Sequence, residues 1–131
     1  MSDFSVHIAG EILDLMTQGT VRTPPSNIFV AVIDGTGTER STDFQNDRAS
    51  TTAGSDWTVT DTEVANANDI SLGEATTDVN GLVDVALFDA ATGGNKLAQY
   101  TMDATPFDVA TGTTLTFPAG DLSFDVIDET E

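Results

Sequence analysis

The sequence lacks cysteine and has only one histidine and one lysine among its 131 residues. Without cysteine, disulfides, cysteine-based zinc sites and thiol nucleophiles are excluded. The single histidine, His7, falls in a helical pattern rather than beside a serine or a carboxylate pair, so a Ser-His-Asp triad has no support. Four basic residues stand against 22 acidic ones, which gives a net charge of −18. Arg22, Arg40, Arg48 and Lys96 are too few to neutralise a phosphate backbone, and we expect no nucleic-acid partner.

Long apolar runs are also missing. The first fifteen residues, MSDFSVHIAGEILDL, have no basic flank and no uninterrupted apolar stretch. They therefore match neither a secretory signal nor a membrane span, and we expect a protein made and used in soluble form, with no membrane partner.

Carboxylates are scattered along the whole chain and interrupt strand-like segments at regular intervals. This spacing indicates an acidic coat on the outer face of a folded sheet. In dilute buffer such a coat repels itself, whereas at molar salt the Debye length falls to about 3 Å and the repulsion is screened. We interpret the composition as adaptation to a salt-saturated cytoplasm. The alternative is an acidic surface that binds a basic partner or calcium.

Residues 3–18 carry Ile8, Ile12 and Met16 at i+4 spacing, which predicts an amphipathic helix that stops at Gly19. The rest of the chain is typical of short strands. The predicted strands are 27–34, 57–64, 69–74, 81–88, 96–102, 114–117 and 122–127, with an irregular connection or edge hairpin over 36–54.

Seven or eight short strands behind one N-terminal helix predict an all-β fold, an antiparallel β-sandwich of jelly-roll or immunoglobulin-like type. The length fits a single domain that spans residues 1–131.

No pattern of reactive residues emerges from these segments. Asp78, Asn80 and Gly81 match only a fragment of a calcium loop, and a plain turn is the simpler interpretation. Residues 35–39 contain glycine but do not precede a helix, so they predict a turn rather than a phosphate loop. Trp57 and Tyr100 could form an aromatic platform for sugar, although isolated aromatics in strands are usually packing residues. We therefore predict no catalytic, cofactor-binding or metal-binding residues, no cofactor and no enzymatic activity.

Four stretches, in order, resemble a family of small virion proteins of tailed phages known as tail fibre or head fibre proteins. These stretches are AGEILDLM at 9–16, NIFVAVID at 27–34, LVDVALFDAATGGNKLAQ at 82–99 and ATPFDVATGTTLTFPAGDLSFDV at 104–126. The likeness is most specific in the C-terminal half, where the Gly93-Gly94 hairpin is followed by Thr111-Gly112 and Phe117-Pro118-Ala119-Gly120.

This resemblance implies a non-enzymatic structural protein located in the virion of a halophilic tailed virus. We expect a capsid decoration or vertex-turret subunit, since the chain ends at DVIDETE directly after its final strand and shows no shaft or receptor module. Its expected partners are the major capsid protein or tail components, and copies of itself in a trimer or pentamer joined through Ile8, Ile12 and Met16. The alternatives are a tail fibre that acts in host attachment, a carbohydrate-binding module, and an acidic enzyme with a clustered carboxylate pair.

Overall fold

The computed structural model describes residues 6–20, 23–102 and 107–125, and side chains within 7–20, 23–102 and 107–123. One helix, α1, covers Val6–Gln18. It ends where the sequence predicts, because Gly19 adopts a φ of 68° that a side chain would disfavour. Residues 3–5 of the predicted helix lie outside the described residues.

About half of the remaining described chain is strand, and the all-β prediction is confirmed. A short 3₁₀ turn covers Ser41–Asp43. The strands are β1 (Asn27–Asp34), β2 (Ala49–Thr52), β3 (Trp57–Thr60), β4 (Glu63–Asn66), β5 (Ile70–Glu74), β6 (Val79–Phe88), β7 (Lys96–Thr101), β8 (Phe107–Val109), β9 (Thr114–Phe117) and β10 (Ser123–Asp125).

All strand pairs are antiparallel, and they form three sheets. The largest has five strands in the order β2-β1-β6-β7, with β8 pairing to the first part of β6. A second sheet has the order β10-β4-β3, and a third pairs β5 with β9. Because β6 pairs with β1, β7 and β8, it forms the centre of the largest sheet.

Side chains from all three sheets fill one core, as expected of a sandwich. Its largest fully buried apolar members are Phe44, Leu72, Leu82, Leu122, Val30, Val32, Val79 and Val85. A smaller cluster of Ala31, Ile33 and Ala86 lies on the opposite face of β1 and β6, with Phe88 packed against it. Both faces of β1 are therefore buried, which explains its continuous apolar sequence.

The described residues contain ten strands, more than the seven or eight predicted. The predicted strand 57–64 is a hairpin of β3 and β4, in which Asp61 takes a φ of 55° at the turn. An aspartate tolerates this conformation, so no glycine marks the turn in the sequence. Within 36–54, β2 forms an edge strand on β1. The three-residue strand β8 was not predicted, because so short a segment shows little alternation.

The alternation along β6 is broken by an irregularity near its start. Pairing with β8 shifts register between Val79 and Leu82, and Gly81 lies there with a φ of 73°. Pairing with β1 shifts as well, since Ile33 faces Asp84 and Asp34 faces Leu82, so Leu82 and Val85 are both fully buried while Val83 between them is half-buried. The predicted plain turn at Asn80-Gly81 is wrong, since both residues lie within β6.

Candidate functional site

The structure places His7 on α1, where its Nε2 lies 3.4 Å from Glu11 Oε1, one helical turn away. This is a local i,i+4 pair of the kind found on helix surfaces. Among the residues with described positions, no three His, Asp or Glu side chains gather in a way that could hold a metal ion. The absence of catalytic and metal-binding residues stays a prediction.

Asp78 is used to hold a turn. Its Oδ1 accepts hydrogen bonds from the backbone N–H and the hydroxyl of Thr111, both at 2.9 Å. These two bonds lower the pKa of the Asp78 carboxyl below its ordinary value. The carboxylate therefore ties the start of β6 to the loop between β8 and β9.

The predicted turn at 35–39 is confirmed, and Asp34 organises it. Asp34 Oδ1 accepts hydrogen bonds from the backbone N–H groups of Thr36 and Thr38, and from the Thr36 hydroxyl at 2.6 Å. The hydroxyl bond is the main reason that the pKa of Asp34 is lowered. This glycine-containing segment closes on a side chain of its own and has the geometry of an Asx turn.

Trp57 and Tyr100 do not form a platform. The Trp57 side chain is buried, and its Nε1 donates a hydrogen bond to Thr51 Oγ1 at 2.8 Å. Thr51 Oγ1 in turn donates to the carbonyl oxygen of Ile28 at 2.7 Å. Tyr100 lines a separate cavity of about 430 Å³ between β7, β8 and β9. The exposed pair of rings that a carbohydrate-binding module would need is therefore not formed by these two residues.

The most unusual exposed surface is on α1. Ile12, Leu13, Leu15 and Met16 are 37%, 58%, 53% and 73% exposed, and we call these four residues the α1 ridge. At 100° per residue they fall on one face of the helix.

The polar side of α1 points the other way. His7 and Asp14 fall on the side of the helix opposite the α1 ridge, Glu11 lies at the edge of the ridge beside Leu15, and all three are half-buried. Among the described apolar side chains of α1, only Ile8 packs against the main core, so the predicted stripe of Ile8, Ile12 and Met16 does not face one partner as a whole. From Ile12 onward, helix α1 therefore carries its apolar residues outward, which is the reverse of a helix that caps its own domain.

An open apolar groove of about 400 Å³ lies between the start of α1, β7 and the β3–β4 hairpin. Its apolar lining is Ile8, Pro25, Ile28, Trp57, Val59, Val64, Leu87, Leu97 and Ala98. Val59 in this lining is 73% exposed, and Asp61 and Glu63 stand exposed at the tip of the hairpin wall. The sequence had not indicated the groove, because its walls come from four separated segments.

No helix of the described part of the chain is long and apolar enough to cross a membrane. Within the described residues, the apolar ridge and the apolar groove, both at the α1 end of the body, are the candidate interaction surfaces.

Comparison with known protein families gives a match over nearly the whole chain. The profile of the family described as podophage GP4 fiber I protein gp80 matches residues 3–125. The chain belongs to this family. A comparison with curated proteins found no match.

Membership confirms the resemblance seen in the hairpins of the sequence and extends it through the middle of the chain. The protein is a phage fibre protein, a structural component that is located in the virion and associates with other virion components. Proteins of this kind are generally not enzymes. The candidate surfaces on and beside α1 are therefore best considered as contact surfaces.

Proposed function

We propose that this fibre protein is a surface subunit of the virus particle that assembles with copies of itself through the α1 ridge. The observation that carries the proposal is the outward apolar face of α1, with Leu13, Leu15 and Met16 each more than half exposed. A surface of this kind on a protein otherwise coated with carboxylates marks a contact site.

The α1 ridge suits a contact between identical copies because it carries no charge. Asp14 lies on the opposite side of the helix, and Glu11, at the edge of the ridge beside Leu15, is half-buried and pairs with His7. Two or more ridges can therefore pack together with these carboxylates outside the centre of the interface. Packing of helices around a symmetry axis would give the trimer or pentamer that we propose.

Within the particle we propose a place on the capsid exterior, as a decoration or vertex-turret subunit. The described strands are three to ten residues long and fold back repeatedly into one body with a shared core. We propose that residues 1–131 form this single domain. A uniformly acidic outer face would keep particles apart, and its charge density fits assembly in a high-salt cytoplasm.

The second candidate is a tail fibre that takes part in host attachment, and the family description, which contains the word fiber, favours it. The two candidates differ in where the protein sits on the particle. Purified particles should therefore be separated into heads and tails, and each fraction analysed by quantitative mass spectrometry. We expect the protein in the head fraction, in copy numbers that are multiples of three or five. Its recovery only with tails would favour the fibre alternative.

A further inference from the structure

The groove beside α1 is built like the receptor for an apolar chain segment. Its floor is formed by buried side chains of the main core, among them Trp57, Leu87 and Leu97, which are 9%, 5% and 8% exposed. Val59 projects from the hairpin wall and is 73% exposed. Water in such a groove gains few hydrogen bonds from the walls, so its replacement by apolar side chains is favourable.

The rim of the groove is acidic. Asp61 and Glu63 stand exposed on the β3–β4 hairpin, and the whole chain has a net charge of −18. An occupant with lysine or arginine beside its apolar side chains would pair with these carboxylates. An acidic occupant would meet repulsion both at the rim and from the rest of the surface.

Among the residues that the structure describes, a second copy of this chain offers little matching charge. Arg40 is paired with Asp34 and Asp43, Arg48 is paired with Glu39, and the exposed Lys96, which donates a hydrogen bond to Gln99, supplies a single positive charge. The α1 ridge, the exposed apolar face that a second copy could offer, contains no basic residue. Charge complementarity therefore favours a different protein.

We propose that the groove is the docking site for a basic amphipathic segment of another virion protein, through which this subunit is attached to the particle. Its apolar side chains would cover Val59 and Trp57, and its lysine or arginine side chains would face Asp61 and Glu63. This inference rests on the proposed function as a surface subunit and adds the chemistry of its attachment partner.

The sequence contains a single tryptophan, Trp57, and it lines the groove, so its fluorescence reports occupation directly. The probe is a designed 14-residue helical peptide with leucines at i, i+3, i+4 and i+7 spacing and lysines elsewhere. One control peptide replaces its lysines by glutamates, and another replaces its leucines by glutamines. Titrations would be run with the full chain at the lowest KCl concentration that keeps it folded.

We expect saturable binding of the leucine–lysine peptide with a shift of Trp57 emission, and no such shift with either control peptide. Val59→Asp should weaken binding at least tenfold, since it places a charge in the apolar contact. Thr58→Asp adds the same charge to the opposite face of β3 and should change binding less than twofold. Asp61→Asn combined with Glu63→Gln should weaken binding about three- to tenfold.

The proposal would be overturned if the control peptide with glutamines in place of leucines changed Trp57 fluorescence as much as the leucine–lysine peptide. The response would then come from charge attraction alone. A concentration-dependent shift of Trp57 emission without peptide, abolished by Val59→Asp, would overturn it in favour of a second copy. The oligomeric state of Val59→Asp, measured by analytical ultracentrifugation, separates the two proposals. If Val59→Asp keeps the oligomeric state of the wild type but no longer binds the peptide, the groove and the α1 ridge act independently.

Discussion

The guanidinium carbon of Arg48 lies 3.6 Å from the centroid of the Phe88 ring. The same side chain is only 8% exposed and pairs with Glu39 through two hydrogen bonds, Nε to Oε2 at 2.8 Å and Nη2 to Oε1 at 2.9 Å. Its Nη1 donates to the carbonyl oxygens of Ala90 and Gly93 at 2.8 and 2.9 Å. One arginine thus joins the segment after β1, the end of β6 and the β6–β7 loop.

Replacing Arg48 with lysine should lower the free energy of unfolding by about 1–3 kcal/mol, because a lysine ammonium can neither form the paired contact with Glu39 nor reach both loop carbonyls. Arg40→Lys is the matched control. Arg40 is 25% exposed and contacts Asp34 and Asp43 at the surface, so its replacement should cost less than about 1 kcal/mol. Denaturant titrations at one fixed salt concentration would measure both values. Equal losses would show that Arg48 has no special structural role.

The pKa of Glu39 is lowered from its ordinary value of 4.5, first by its hydrogen bonds to Arg48. A carboxyl whose pKa is lower in the folded state than in the unfolded state stabilises the fold at pH values above its pKa in the unfolded state. This contribution is lost as the pH falls through the pKa of the folded state. The stability difference between the wild type and Glu39→Gln should therefore be largest above pH 4.5 and should narrow on acidification, in thermal melts at constant ionic strength. A difference independent of pH would contradict this.

Salt should stabilise the fold strongly. Lowering KCl from molar concentration to about 0.1 M lengthens the range of repulsion between carboxylates from about 3 Å to about 10 Å. With 22 acidic residues against four basic ones, the melting temperature should fall substantially over this range. Differential scanning calorimetry in KCl and NaCl would measure it. An unchanged melting temperature would rule out the high-salt interpretation.

Calcium at millimolar concentration should leave the melting temperature unchanged in high salt. Asp78 Oδ1 already accepts two hydrogen bonds from Thr111, so this carboxylate acts within the fold. Asp78→Asn should lower the stability with and without calcium by the same amount, because it weakens the link between β6 and the β8–β9 loop. A calcium-dependent rise in melting temperature that Asp78→Asn removes would instead reveal a cation site.

Ile12→Asp should abolish self-association and leave the monomer folded. Ile12 is 37% exposed on the α1 ridge and does not belong to the main core, so the substitution affects mainly the surface. Thr92→Asp adds the same charge on the exposed β6–β7 loop and should leave the oligomer intact. Sedimentation velocity and circular dichroism would separate loss of assembly from loss of folding. If Ile12→Asp formed the same oligomer as the wild type, the contact between copies would lie elsewhere on the surface.

Alternation of side chains predicted the strands that are regular. Leu115 and Phe117 are buried on one face of β9 while Thr114 and Thr116 are exposed, and the bounds 27–34 and 114–117 match β1 and β9. It failed where the register changes, as at Gly81 and Val83, because a bulge moves the following side chains to the other face.

The sequence by itself determined the all-β class, the helix near its start and the absence of cysteine chemistry, since these follow from composition and local periodicity. The resemblance to phage fibre proteins came separately, from four stretches of similar sequence. Only the tertiary structure decided what the apolar surfaces contact. The periodicity of α1 shows that Ile12 and Met16 share a face, but a helix can turn that face inward or outward. Likewise, Val59 became part of an exposed groove only because β3, β7 and α1, distant in sequence, meet there. Local propensities act over a few residues, whereas burial is decided by every segment that packs around a side chain.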